Sequence, residues 1–150
     1  MHYLSPEKLE EIKKELAELK TAKRMEIAER LKRAKEFGDL SENAEYIEAR
    51  EEQERVESRI YELEDVVKNV VIIKKRKSRG VIEIGSAIEL KKNGESCRFV
   101  IVGSKEAKPE KGLISNESLL GTMLIGKKVG DEFTLKTRSG ESRYKIVKIE

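Results

Sequence analysis

An acidic segment at residues 38–46, GDLSENAEY, carries the side chains best suited to chemistry in this chain. Asp39 and Glu42 are three positions apart, Glu36 and Glu45 flank them, and no Lys or Arg lies between residues 36 and 45. Carboxylates gathered in this way repel one another, and a hard divalent cation relieves the repulsion. Mg²⁺ is typically held by one or two carboxylates together with waters and phosphates. We therefore expect Asp39 and Glu42 to form part of a metal site that a partner must complete.

The same segment also has a purely structural interpretation. Gly38 fits the left-handed position that follows a helix, and residues 39–42 match a capping box. In that box Asp39 caps the second helix and Glu42 reaches back from its third position. The cap accounts for these two carboxylates and not for their neighbours, so both interpretations stay open.

Two long amphipathic helices are predicted to position this segment. Ser5 and Pro6 predict a helix start, with Ser5 as cap and Pro6 at the first helical position. Seam residues then recur in steps of three and four, as in a coiled coil. The first arm carries Leu9, Ile12, Leu16, Leu19, Lys23, Ile27, Leu31 and Ala34, and the second carries Tyr46, Ala49, Gln53, Val56, Ile60, Leu63, Val67 and Val70. Consecutive steps of four around Lys23 predict a local stutter. Folding one arm back across residues 38–41 pairs the two seams as an antiparallel hairpin with the acidic turn at its tip.

Composition and charge divide the chain into parts. Charged residues make up 41% of the 150 residues and hydrophobic ones 37%, which favours an elongated element over one compact globule. Residues 1–73 hold 14 Lys or Arg against 19 Asp or Glu, whereas residues 74–150 hold 18 against 10. We predict a coiled-coil hairpin over 1–73, a basic linker over 74–80 and a second domain over 81–150. No apolar run approaches the roughly 20 residues that span a bilayer, which favours a cytoplasmic protein without membrane contact.

The second half of the chain is typical of a small, β-rich α+β domain. Strands are predicted over residues 81–84, 87–91 and 97–102, with a hairpin turn at Asn93-Gly94. A short helix is expected within residues 116–125, and a closing hairpin joins residues 132–137 to 143–149. This half contains no histidine, glycine-rich phosphate loop or nucleophile–base pair, and Cys97 is the only cysteine. We expect it to dock on a partner rather than to catalyse.

Basic residues on the arms admit two interpretations. Cross-helix ion pairs, such as Lys32 with Glu48 and Lys23 with Glu57, would stabilise the hairpin a little. Alternatively, a basic face near the turn binds a phosphate backbone. The candidates for that contact are Arg24, Arg30, Arg33, Lys35 and Arg50.

Several stretches of this sequence resemble the bacterial transcript cleavage factors of the Gre family, and its GreA branch more than GreB. They are GDLSENAEY, AREEQ at residues 49–53, the preceding KRMEIAERLKRAKEF, and the later LIS and LIGKKVGDE. The resemblance covers nearly the whole chain. It implies an N-terminal coiled-coil hairpin and a C-terminal FKBP-like domain. It also implies that this domain docks at the rim of the secondary channel of bacterial RNA polymerase while the hairpin enters the channel.

The resemblance further assigns roles to the tip. Asp39 and Glu42 are expected to reach the polymerase active centre and complete the coordination of a weakly bound second Mg²⁺. The polymerase then cleaves backtracked nascent RNA near its 3′ end by a two-metal route. The supporting tip residues are Gly38, Leu40, Ser41, Asn43, Glu45 and Tyr46, and the basic face is expected to hold the extruded RNA. The isolated protein is expected to be a monomer, to bind no metal tightly and not to be an enzyme by itself.

Two departures from the family pattern are visible, because Met25 and Leu119 stand where the family often has proline. Neither residue lies in the turn.

Three other functions remain as alternatives: a channel-binding regulator that does not induce cleavage, a metal-dependent nuclease acting alone, and a coiled-coil adaptor with a merely capped turn. Isomerase activity would rest on fold analogy alone.

Overall fold

A computed structural model of the chain describes residues 1–38, 42–74 and 79–150. Asp39, Leu40 and Ser41 therefore lie outside the described residues, as do residues 75–78 of the predicted linker. The described residues form two units. One consists of Glu7–Asn69, and the other of Met1–Pro6 together with Val70–Glu150. The second unit thus includes residues 1–6 and 70–73, which the sequence predicts to be part of the hairpin.

The first unit is the predicted helical hairpin. Helix α1 spans Pro6–Glu18, and its start at Pro6 is the predicted one. A π-helical turn over Leu19–Lys23 follows, then α2 over Arg24–Glu36 and α3 over Ala44–Lys68. Ile27, Val56 and Ile60 form a buried cluster, and partly buried leucines pack against it: Leu16, Leu19 and Leu31. The antiparallel pairing of the two seams is therefore confirmed.

The π turn lies where the seam steps by four. The Arg24 N–H donates to the Leu19 carbonyl, five residues back, so this turn holds one residue more than an α turn. The Thr21 hydroxyl donates to the Ala17 carbonyl at 2.7 Å within the same region. The extra residue keeps Ile27 on the seam after the stutter, since without it the following helix would be rotated away from α3.

The seam of α3 follows the prediction at four positions and departs from it at two. Helix α3 ends at Lys68, so Val70, the last predicted seam residue, lies outside it. Ala49, Val56, Ile60 and Leu63 are buried as expected. Farther along the helix Val66 is buried and Val67 is half-buried, the reverse of the predicted order. Positions three and four residues after Leu63 both lie near the same face of a helix, so the pattern of apolar residues does not separate them.

The second unit contains a small parallel sheet and a larger mixed sheet. Strand β1 (His2–Leu4) pairs in parallel with β2 (Val70–Ile72). The larger sheet has the order β5-β4-β3-β7-β6. Its strands are β3 (Ala87–Lys92), β4 (Glu95–Val102), β5 (Leu113–Ser115), β6 (Glu132–Thr137) and β7 (Gly140–Ile149). All pairs are antiparallel except β4 with β5.

This architecture confirms the predicted fold class of a helical hairpin followed by a β-rich domain. The predicted strand at residues 81–84 is wrong, because Val81 forms only a single bridge to Lys128. The hairpin turn at Asn93-Gly94 is confirmed, with φ of 50° and 88° at the two residues, as a type I′ turn requires. Three short strands, β1, β2 and β5, were not predicted.

One face of the larger sheet carries the core of this unit. The buried residues are Ile82, Ile88, Leu90, Ile101, Ile114, Leu124, Phe133, Leu135, Tyr144 and Ile146. The rings of Phe133 and Tyr144 stack with centroids 5.2 Å apart. A close backbone approach ties the N-terminal strand to the unit, since a Cβ on Gly103 would stand 1.8 Å from the Tyr3 carbonyl oxygen. The Ser5 hydroxyl donates to the Glu106 carboxylate at 2.5 Å.

Both departures from the family pattern lie at exposed positions. Helix α4 spans Leu119–Leu124, and the Ser118 hydroxyl caps it by accepting the Gly121 N–H at 3.0 Å. Leu119 is thus the first helical residue, a position that favours proline but does not require it. Met25 is 71% exposed on α2. Among the described residues, none of the helices combines the length and the apolar character that crossing a bilayer demands.

Candidate functional site

The tip of the hairpin is framed by the end of α2 and the start of α3. Phe37 ends α2, and its N–H donates to the Ala34 carbonyl at 3.2 Å. Gly38 follows with a φ of 115°, in the region that favours glycine because it has no Cβ. The backbone thus leaves the helix at Gly38, as the sequence predicts.

Asn43 joins the two helix ends through its side chain. Its amide oxygen accepts the Tyr46 N–H at 3.2 Å and so caps α3. Its amide nitrogen donates to the Ala34 carbonyl at 2.7 Å, in the last turn of α2. Asparagine suits this position because one side chain supplies both a donor and an acceptor.

The predicted capping box is therefore wrong. Helix α3 begins at Ala44, so the cap is Asn43 and Glu42 lies before the helix rather than at its third position. Asp39, the predicted cap, lies outside the described residues. Asn followed three residues later by Tyr is a weaker sequence signal for a helix start than D-x-x-E, so the sequence alone favours Asp39 over Asn43 as the cap. The structural explanation offered for the Glu42 carboxylate consequently no longer applies.

Glu42 is exposed beside this cap. Within the part of the chain that the structure describes, no hydrogen bond or ion pair engages its side chain. Phe37, Glu42, Asn43, Ala44 and Glu45 line an open groove of about 490 Å³. The groove therefore combines two carboxylates with an aromatic ring at the end of the hairpin.

The carboxylates at the tip can bind a hard cation only together with ligands from elsewhere. Carboxylate oxygens are the ligands that Mg²⁺ prefers, and the Glu42 carboxylate is not committed to another described group. In residues 1–38, 42–74 and 79–150, no three His, Cys, Asp or Glu side chains are grouped closely enough to hold a metal. An ion bound at Glu42 would need further ligands from Asp39, from water or from a partner.

The five basic candidates fall into two groups, and the first is engaged in cross-helix ion pairs. Arg24 makes two 2.8 Å hydrogen bonds to the Glu57 carboxylate. Arg30 pairs with Glu52, which also binds Lys23 at 2.7 Å. These contacts confirm cross-helix pairing as a role of the arms.

The partners differ from the predicted ones. Lys23 binds Glu52 rather than Glu57, and the described residues Lys32 and Glu48 do not pair with each other. The hydrogen bond from Lys23 holds the pKa of Glu52 below its ordinary value. Arg24 lowers the pKa of Glu57 in the same way. Both carboxylates thus stay ionised at more acidic pH than free ones.

The second group has no carboxylate partner on the opposite helix. Among the described residues, Arg33 pairs only with Glu29 of its own helix, at 3.5 Å, and its side chain is 74% exposed. Arg50 donates to the Gln53 side chain at 2.8 Å. Lys35 is exposed and has no ion pair with any described residue. These three residues leave basic groups available near the tip.

Known protein families and individual proteins are similar to this chain. The family model described as transcription elongation factor, N-terminal, matches residues 2–72, and the one described as transcription elongation factor, GreA/GreB, C-term, matches residues 77–150. Transcription elongation factor GreA of Geobacillus kaustophilus is 46% identical over 151 residues, covering 98% of this chain and 95% of the relative. The GreA of Bacillus velezensis is 48% identical over 143 residues, covering 93% and 90%. The crystal structure of the GreA factor homolog 1 protein of Thermus thermophilus is 29% identical, with a TM-score of 0.44 and coverage of 99% and 97%. Because the two family models together span nearly the whole chain, this protein belongs to the GreA/GreB family of transcription elongation factors.

Proposed function

We propose that this protein enters the secondary channel of bacterial RNA polymerase and stimulates cleavage of backtracked nascent RNA by the polymerase. Cleavage creates a new 3′ end in register with the active centre, which lets an arrested elongation complex resume. The observation that carries the proposal is Glu42, an exposed carboxylate at the end of the hairpin that caps no helix. Relatives named transcription elongation factor GreA support the choice of partner.

The protein in this proposal is a part of an active site rather than an enzyme alone. Asp39 and Glu42 would hold Mg²⁺ together with groups of the polymerase, and the bound ion would supply the second metal of a two-metal hydrolysis. Asn43 fixes the backbone beside Glu42 by bridging the two helix ends. The Glu42 carboxylate orients the attacking water and can accept its proton.

Three basic residues support a contact with the nascent RNA. Arg33, Lys35 and Arg50 lie near the tip and have no carboxylate partner across the hairpin among the described residues. Arg24 and Arg30 instead hold the two arms together through Glu57 and Glu52. We accordingly assign the RNA contact to Arg33, Lys35 and Arg50, which are three of the five candidates predicted from the sequence.

The test uses a stalled elongation complex with end-labelled, backtracked RNA at fixed Mg²⁺. Wild type is compared with Asp39→Asn and Glu42→Gln, and Glu48→Gln is the control because it removes an exposed carboxylate in the second turn of α3, six residues after Glu42. Competition binding to polymerase is measured for all four proteins. We expect release of short 3′ fragments to slow by about 100-fold in the two tip variants, with binding unchanged, as for loss of a general base.

Each other outcome has a definite meaning. Tip variants that cleave as fast as wild type would show that the carboxylates play no part. A wild type that binds polymerase without accelerating cleavage would be a channel-binding regulator instead. Hydrolysis of free RNA with Mg²⁺ and no polymerase would identify a nuclease that acts alone.

A further inference from the structure

Phe37 is an aromatic residue that the fold does not use. It is 80% exposed and belongs to none of the described buried clusters. Burial of such a ring is ordinarily favourable by about 1.5–3 kcal/mol, so leaving it in water forgoes that stabilisation. A surface phenylalanine alone is common, and its surroundings decide whether it has a function.

The position of this ring is fixed by the end of a helix. The Phe37 N–H donates to the Ala34 carbonyl, which also accepts from the Asn43 side chain. The ring therefore projects from a backbone that is hydrogen-bonded on both sides of the turn. It lines the same groove as Glu42.

Two basic residues, Arg33 and Lys35, lie in the last turn of α2, just before Phe37. Arg33 is four residues before Phe37, and residues with this spacing share a helix face. Arg33 and Lys35 are exposed. An exposed aromatic ring among cations is the usual arrangement for binding single-stranded nucleic acid, in which bases stack on the ring and cations contact the backbone.

We propose that Phe37 stacks on a nucleobase of the extruded single-stranded RNA while Arg33 contacts a neighbouring phosphate. This inference rests on the proposed function, which brings the tip to backtracked RNA. A base suits the groove because its face is apolar and its edge carries N–H groups that can donate to Glu45, the carboxylate that lines the groove beside Glu42. An apolar pocket of a protein partner would instead have to desolvate both carboxylates, which is costly.

The first test measures stacking without cleavage. The chain contains no tryptophan, so Phe37→Trp introduces a single indole as a fluorescent reporter. Met25→Trp is the matched control, because Met25 is also exposed on α2 but lies three turns from the tip. We expect a single-stranded adenine oligonucleotide at low salt to quench the F37W indole and an abasic oligonucleotide of equal length not to. Absence of quenching, or equal quenching in M25W, would overturn the proposal.

The second test asks whether stacking contributes to cleavage. Stacking on an aromatic ring contributes about 1–3 kcal/mol per base, so Phe37→Ala should slow cleavage by about 5- to 150-fold. Met25→Ala should cleave normally, and Phe37→Trp should retain activity. The difference between wild type and Phe37→Ala should vanish on RNA with abasic extruded nucleotides. If it persists there, the ring contacts protein and the proposal fails.

The two proposals fail in different ways. If wild type does not stimulate cleavage, the proposed function is wrong, whereas the quenching of F37W still reports on the base-binding site. If Glu42→Gln loses cleavage and Phe37→Ala does not, the proposed function stands and the role of Phe37 is refuted.

Discussion

Asn43 is expected to determine the stability of the hairpin tip. Asn43→Ala removes the acceptor for the Tyr46 N–H and the donor to the Ala34 carbonyl. Loss of an N-cap costs about 0.5–2 kcal/mol, and loss of a single hydrogen bond costs about 1 kcal/mol. The opening free energy at the start of α3 should therefore fall by about 1–3 kcal/mol.

Asn43→Asp separates the two bonds. A carboxylate still accepts the Tyr46 N–H and interacts favourably with the helix N-terminus, but it cannot donate to the Ala34 carbonyl at neutral pH. The opening free energy at the start of α3 should therefore fall by about 1 kcal/mol, less than in Asn43→Ala. Asn69→Ala is the control, because Asn69 ends the same helix and its side chain donates to Asp65.

Hydrogen–deuterium exchange of single backbone amides measures these changes at the tip. The relevant amides are those of Tyr46 and Ile47, which donate to the Asn43 side chain and to its carbonyl. A change of 1–3 kcal/mol corresponds to exchange about 5- to 150-fold faster. Unchanged exchange in Asn43→Ala, or equal acceleration in the Ala and Asp variants, would show that the bridge between the helix ends does not stabilise the tip.

Two further substitutions test other parts of the chain. Leu119→Pro should stabilise the C-terminal unit by about 0.4–1 kcal/mol, because the first helical position needs no N–H and Ser118, with ψ of 158°, already has the conformation required before proline. A lower midpoint of thermal unfolding would contradict this. The pKa of Glu52 is depressed by Lys23, so its contribution to stability is present at neutral pH and is lost as the pH falls below about 4.5, through the folded-state pKa. In Glu52→Gln, the helix content measured by circular dichroism should therefore fall less steeply with decreasing pH than in wild type. An equally steep fall in the two proteins would show that ionised Glu52 does not stabilise the hairpin.

The helical hairpin was predictable because its seam is periodic over many turns. Leu9, Ile12, Ile27 and Ala34 are buried where the spacing requires it. The choice of Val66 over Val67 was not predictable, since both valines satisfy the pattern and only packing against the first arm separates them. The position of the π turn was also predictable, because the consecutive steps of four around Lys23 indicate a local irregularity of the helix.

The details of the tip were less predictable than its composition. D-x-x-E and Asn43 offered competing caps for the same helix, and local sequence does not reveal which residue starts it. The short strands were missed for a similar reason. His2–Leu4 and Val70–Ile72 have three residues each, too few for an alternation to show, and they exist because each is the partner of the other.

The pairing of β1 with β2 has a consequence for the order of folding. The strand at His2–Leu4 finds its partner only after the whole hairpin has been synthesised, because Val70–Ile72 follows α3. Closing such a long loop in an unfolded chain is entropically costly, but a hairpin that folds quickly from local helices brings its two ends together and shortens the loop that remains. Tyr3 and Ser5 depend on Gly103 and Glu106, which emerge later still. Residues 3 and 5 must therefore wait until residues 103 and 106 have been synthesised before these contacts can form.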